Sequence, residues 1–147
     1  MKAIVIYDTK FGNTEKIANS LAAGINEMGY DVDVIYVENI QLDKITEYDL
    51  VAIGGPTHGF GISAPIRKFI KRMEQVDLRN KKAFAFDTKS KGGIWGSAAK
   101  GIEKRLSKMG MEIVKPSASA IVLGLKGPLQ EGSGAMFRQI GAELASA

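Results

Sequence analysis

The chain contains no cysteine. That excludes disulfides, thiol nucleophiles, iron–sulfur clusters and thiolate zinc sites, so any redox chemistry has to come from a bound organic cofactor. It has a single histidine, His58, with no triad or metal partner near it in sequence, and a single tryptophan, Trp95. No apolar run approaches the roughly twenty residues that span a bilayer, and the stretch after Lys2 is broken by Asp8 before it could serve as a signal core. No membrane association is expected, and the expected location is the cytoplasm. Internal repeats, low-complexity tracts and linker-like segments are also missing.

What remains is 147 residues, 45% apolar and 24% charged, a composition suited to one well-cored domain over residues 1–147. The net charge of +4 hides an uneven distribution. Residues 1–66 carry 4 basic and 9 acidic side chains, whereas residues 67–115 carry 14 basic and 5 acidic ones. A basic half fits nucleic acid, an acidic protein partner or plain solubility. Nucleic acid is disfavoured, because these cations lack the interleaved aromatics of a strand-binding platform.

Ala3–Tyr7, Leu50–Ile53, Ala83–Phe86 and Ala120–Leu123 are short continuous apolar runs, the pattern of strands buried on both faces of a parallel sheet. Asp31–Val37 alternates instead, as an edge strand does. Between the runs lie helical stripes: Ile17, Leu21, Ile25 and Met28; Ile66, Phe69, Ile70 and Met73; Ile102, Leu106 and Met109; Phe137, Ile140 and Leu144. Gly29 and Gly110 stand where helix C-terminal glycines belong, and Gln41–Tyr48 suggests a short irregular helix. Such alternation predicts an α/β fold with right-handed crossovers and helices on both faces. Ligands then bind beyond the carboxyl ends of the strands, where the winding reverses.

Three loops meet that description. The first, Tyr7 to Thr14, is a polar turn with Thr9, Lys10, Phe11, Gly12, Asn13 and Thr14 leading into a helix, where unpartnered N–H groups and aligned dipoles favour a phosphate. The plainer alternative is that Asn13 or Thr14 only caps the helix. The second, Gly54 to Ser63, carries Pro56, Thr57, His58, Gly59, Phe60 and Gly61; its glycines allow close approach to a flat ligand. The third, Asp87 to Ser97, carries Asp87, Thr88, Lys89, Lys91, Gly92, Gly93 and Trp95. Taken together they supply a phosphate nest, ring faces and backbone groups, the needs of a nucleotide-like cofactor. Taken singly, His58 is also readable as a solvated loop residue, Trp95 or Phe60 as a core plug, and Arg67, Lys68, Lys71 and Arg72 as the wet face of a helix.

These loops resemble those of the flavodoxin family of short-chain, FMN-binding electron carriers, and the resemblance covers nearly the whole chain. Thr9, Gly12, Asn13 and Thr14 look like the family's hydroxyl-rich phosphate loop, with Phe11 in place of one hydroxyl donor, and Gly55, Pro56 and Thr57 resemble the start of its second loop. The resemblance implies a flavodoxin-like three-layer sandwich around a five-stranded parallel sheet of order 2-1-3-4-5. It implies noncovalent FMN and one-electron transfer to redox partner proteins; the basic face suits acidic partners, and a monomer or weak dimer is expected. An aromatic of the second loop stacks on the flavin in this family, a role falling here to His58 or Phe60. The third loop departs from the family by carrying Lys89, Lys91 and Trp95 where acidic residues and a tyrosine are usual.

The same likeness suggests that Gly59 or Gly61 lets a peptide flip and stabilise the flavin semiquinone, and that Lys10, Lys89 and Lys91 make the protein less reducing than acidic flavodoxins. A receiver domain is excluded by Gly54 and Gly55 where a phosphorylatable aspartate is needed. Neither G-x-G-x-x-G nor a Walker loop follows the first apolar run. An FMN-dependent NAD(P)H quinone or nitro reductase is the enzymatic alternative, and a flavin-free binding module the structural one.

Overall fold

The computed structural model describes residues 1–58, 61–91 and 96–147. Ala3–Ile6, Leu50–Ile53 and Ala83–Phe86 are wholly excluded from solvent, as continuous apolar runs demand when both faces of a sheet are covered. The strands are β1 (Lys2–Tyr7), β2 (Asp31–Tyr36), β3 (Leu50–His58), β4 (Gly61–Ile62), β5 (Lys82–Ser90), β6 (Glu112–Ile113) and β7 (Ala118–Val122). The main sheet is parallel in the order β2-β1-β3-β5, and β6 and β7 share the outer side of β5. β2 lies at the edge, as its alternation predicted.

Two details correct the five-strand expectation. The second loop adds β4, antiparallel to the end of β3 through Thr57 opposite Ile62 and His58 opposite Gly61. The fifth strand is divided into β6 and β7. Val114 N–H still donates to Ala83 O at 3.2 Å, but Pro116 has no N–H to continue the ladder, and Ser117 N–H turns to the Glu103 carboxylate at 2.8 Å.

Helices α1 (Asn13–Glu27) and α4 (Ser133–Ser146) cover one face of the sheet; α2 (Ala64–Met73) and α3 (Ala98–Lys108) cover the other. Successive β1 residues feed the two layers in turn: Ile4 and Ile6 pack with α2 and α3, Ala3 and Val5 with α1 and α4. The apolar stripes point inward except at Met28, which is 50% exposed just beyond the last turn of α1. A short 3₁₀ helix occupies Leu42–Glu47. No helix among the described residues is long and apolar enough to cross a membrane.

α1 and α4 touch backbone to backbone. A Cβ on Gly141 would run into the Leu21 carbonyl oxygen, and one on Gly24 into that of Arg138. Gly141→Ala should therefore cost about 3 kcal/mol of stability by overpacking. Gly134→Ala, whose Cβ would lie 3.4 Å from Ser20 Oγ, should cost far less. Urea unfolding of the two variants checks the contrast.

The β2 edge is latched by Tyr48, whose hydroxyl donates to Asp33 Oδ2 at 2.6 Å. Burial first, then the Asp33 carboxylate, push the Tyr48 phenol up to about 12. Because the folded value lies above the ordinary 10.0, the unfolded chain loses this proton first. The latch contributes fully below pH 10 and is lost as the pH climbs toward 12. Tyr7 and Tyr36 shift the same way, each mainly through burial. Tyr48→Phe should flatten, without abolishing, the fall in stability seen by urea unfolding between pH 9.5 and about 11.5.

Candidate cofactor site

The first loop leaves β1 at Asp8, whose N–H donates to Gly54 O at 3.0 Å. It closes on itself where Gly12 N–H donates to Thr9 Oγ1 at 2.9 Å, which leaves the Thr9 hydroxyl hydrogen available to an anion. Gly12 has φ +91 and occupies the N-cap position of α1 with no side-chain cap. Asn13 and Thr14 do not act as the cap. They are the first helical residues, and their side chains reach elsewhere: Asn13 Nδ2 donates to Lys126 O at 3.2 Å, and the Thr14 and Thr88 hydroxyls are 2.9 Å apart. The amide end of α1 is therefore left for a ligand.

Lys10 Nζ lies 5.4 Å from the Phe11 ring centroid and Lys126 Nζ lies 5.9 Å from it, so two ammonium groups lie close to the aromatic side chain of this loop. Lys126 belongs to a fourth loop, between β7 and α4.

At the carboxyl end of β3, the Thr57 hydroxyl donates to Asp87 Oδ2 at 2.8 Å and accepts from Ala98 N–H at 3.1 Å. Asp87 Oδ2 also receives the Ser97 hydroxyl at 2.6 Å and Ala99 N–H at 3.1 Å, while Oδ1 has no partner among the described residues. Asp87 is among the residues expected at the cofactor. Its carboxylate is fully buried and does not line the cleft; it ties β3 to the start of α3 beneath the second and third loops.

Thr9, Lys10, Phe11, Asn13, Thr14, Pro56, Thr57, His58, Thr88 and Lys89 do come together, around an open cleft of about 140 Å³ beyond the strand ends. Gly12 contributes backbone rather than wall. Gly61 borders another groove, between α2 and α3. Gly59, Phe60, Gly92, Gly93 and Trp95 lie outside the described residues.

Sequence reasoning missed part of the wall. Ser90, Val122, Gly124 and Leu125 line the cleft as well, and Leu125 is 84% exposed there. The available signal was positional: the segment after β7 leaves the sheet at the same edge as the other three loops.

The residues present fit FMN. Donors of the first loop and the amide end of α1 suit a phosphate dianion, and Pro56, Phe11, Val122 and Leu125 suit a planar aromatic ring.

A family model described as flavodoxin matches residues 5–135. A flavodoxin of Clostridium beijerinckii is 28% identical over 114 residues, which cover 76% of this chain and 80% of that protein. An uncharacterised protein of Methanocaldococcus jannaschii is 28% identical over 117 residues, covering 77% of this chain; the chain spans only 29% of that relative's length. Among solved structures, a flavodoxin from the domain Archaea superposes with a TM-score of 0.85 at 25% identity, covering 99% of this chain and 97% of that one. With the family match running from β1 into α4 and the same fold recovered in full, the chain belongs to the flavodoxin family, whose members are FMN-binding electron-transfer proteins.

Proposed function

We propose that the 147 residues act as one flavodoxin-like domain that binds FMN in this cleft and carries single electrons between redox partner proteins in the cytoplasm. The observation that carries this reading is the uncapped amide end of α1, opening into a cleft at the β1/β3 position where the sheet reverses its winding. Residues 9–14 would hold the phosphate. Pro56, Thr57 and His58 would border one side of the ring and Thr88, Lys89 and Leu125 another. His58 and Phe60 share the candidacy for stacking, and Trp95, Gly92 and Gly93 complete the third loop of the proposal. The flavin, when bound, supplies the redox chemistry. The chain's own residues bind it, orient it and set its electrostatics; acidic proteins are the partners its basic half suits.

The visible spectrum of the purified protein with added FMN tests the reading. Yellow protein with quenched flavin fluorescence supports it; a colourless protein that leaves FMN fluorescence unchanged contradicts it. Steady NAD(P)H oxidation by the protein alone would instead mark a reductase.

Lys89 borders the cleft and Lys91 follows it on the surface. Each cation stabilises negative charge on the reduced ring; a unit-charge pair at 4 Å and an effective dielectric of 20 interacts by about 4 kcal/mol before solvation, and screening leaves a fraction of that. The double change Lys89→Gln and Lys91→Gln should lower the second-electron potential by about 60 mV, the tenfold step of a one-electron couple. A redox titration showing no shift would remove these lysines from the account.

A further inference from the structure

α2 and α3 pack their apolar stripes on the sheet and leave an exposed groove between their outer sides. Gly61, Ile62 and Ser97 close one end of it, and Arg67, Lys68, Lys71, Lys104, Arg105 and Lys108 line its length. Glu74 is the one acidic side chain lining it among the described residues. None of the six cations joins an ion pair among the described residues; the pairs present are Lys2–Glu47, Arg79–Asp77, Lys115–Glu143 and Arg138–Glu27.

A merely solvated helix face gains from alternating signs at four-residue spacing. These helices do the reverse: Arg67 and Lys71, Lys68 and Arg72, and Lys104 and Lys108 are like-charge pairs at that spacing, an arrangement that weakens a helix. The groove also begins at the second loop. A Cβ on Gly101 would lie 3.1 Å from Ile62 Cδ1, so α3 rests directly on β4, which pairs with Thr57 and His58 at the cleft. Arg67 Nη1 donates to Ile62 O at 3.1 Å and fixes the head of the groove. Acidic residues collect elsewhere, at Asp31, Asp33, Glu38, Asp43 and Glu47, on and after the far edge strand. The molecule is thus polarised across the sheet.

We propose that this α2–α3 groove is the docking surface for the acidic face of a redox partner protein, bringing the partner against the second loop. The proposal rests on the electron-carrier reading above. Charge complementarity selects the occupant and steers it, and a steered encounter slows with added salt. Nucleic acid fits less well: no exposed aromatic among the described residues lines the groove, and Phe69 of α2 is buried at 2% exposure.

The test uses the FMN-loaded protein and an acidic [2Fe–2S] ferredoxin in stopped flow. One electron passes from the reduced cluster to the oxidised flavin, so the cluster is oxidised by one equivalent and the flavin reduced by one. The rate is expected to fall at least tenfold from about 20 to 200 mM salt, as steered association does, whereas electron transfer to basic cytochrome c should not fall. A variant with Lys68, Lys71, Lys104 and Lys108 each changed to Glu should bind FMN as before and lose at least tenfold in the ferredoxin rate. The all-Arg variant should restore it. Salt-independent ferredoxin kinetics, an unaffected Glu variant, or tighter binding of a twenty-nucleotide mixed-sequence RNA than of ferredoxin at equal salt would overturn the proposal. Should the protein take up no FMN, the carrier reading fails by itself. Docking is then read from amide shifts on adding oxidised ferredoxin: confined to α2 and α3 they support the groove, elsewhere or absent they refute it.

Discussion

Asp87→Ala is expected to lower the free energy of unfolding by about 3–5 kcal/mol, the cost of leaving several donors without their shared acceptor. The side chain is wholly buried, and its Oδ2 alone accepts three hydrogen bonds, from Thr57, Ser97 and Ala99. Alanine would leave two hydroxyls and one backbone N–H without that acceptor, and each unsatisfied buried donor costs about 1–3 kcal/mol. Because those donors belong to the end of β3 and the start of α3, FMN affinity should fall as well, by about tenfold for some 1.4 kcal/mol of lost loop order. Asp87→Asn keeps an amide oxygen in place and should lose roughly half as much stability. Thr57→Val and Ser97→Ala should prove less than additive with Asp87→Ala, since all three act on one oxygen. Urea unfolding and FMN titration of the set decide the matter. Wild-type stability in Asp87→Ala would mean that the carboxylate is not the clasp.

The second large effect concerns the phosphate. FMN should bind about a thousandfold more tightly than riboflavin, which lacks that group, because two or three charge-assisted hydrogen bonds of about 1.5–3 kcal/mol each are at stake. On the proposed reading the donors would be the Thr9 and Thr14 hydroxyls and the uncapped amides at the start of α1. Lys10 and Lys126, both close to the Phe11 ring, should add a salt-sensitive share. Thr14→Val deletes one donor and its link to Thr88, so FMN affinity should drop about 10- to 100-fold, while riboflavin affinity stays within a factor of about two. Equal losses for both ligands would place Thr14 away from the phosphate. Fluorescence titration separates the cases.

Much of the fold could be read from the chain because its buried strands are unbroken apolar runs and its helices carry clean stripes at three- and four-residue spacing. The division of the last strand followed from one residue, Pro116, whose missing N–H acts only through its place beside β5. That Thr9, Asn13, Thr14, Pro56, Thr57 and Thr88 gather around one cleft was legible from their place at strand ends. The clasp at Asp87 was not, since Thr57 and Ala99 lie thirty and twelve residues away and meet it only across the sheet. Leu125 was hidden differently. An apolar residue in a short run reads as core, yet it stands almost fully exposed at the rim of the cleft.

The central claim is that FMN occupies this cleft with its phosphate at the start of α1. An amide chemical-shift map of isotope-labelled protein with and without FMN tests it most directly. The account predicts the largest shifts at residues 9–15, with further shifts at 56–58, 88–90 and 122–126. No shifts, or shifts centred on the α2–α3 groove, would contradict it.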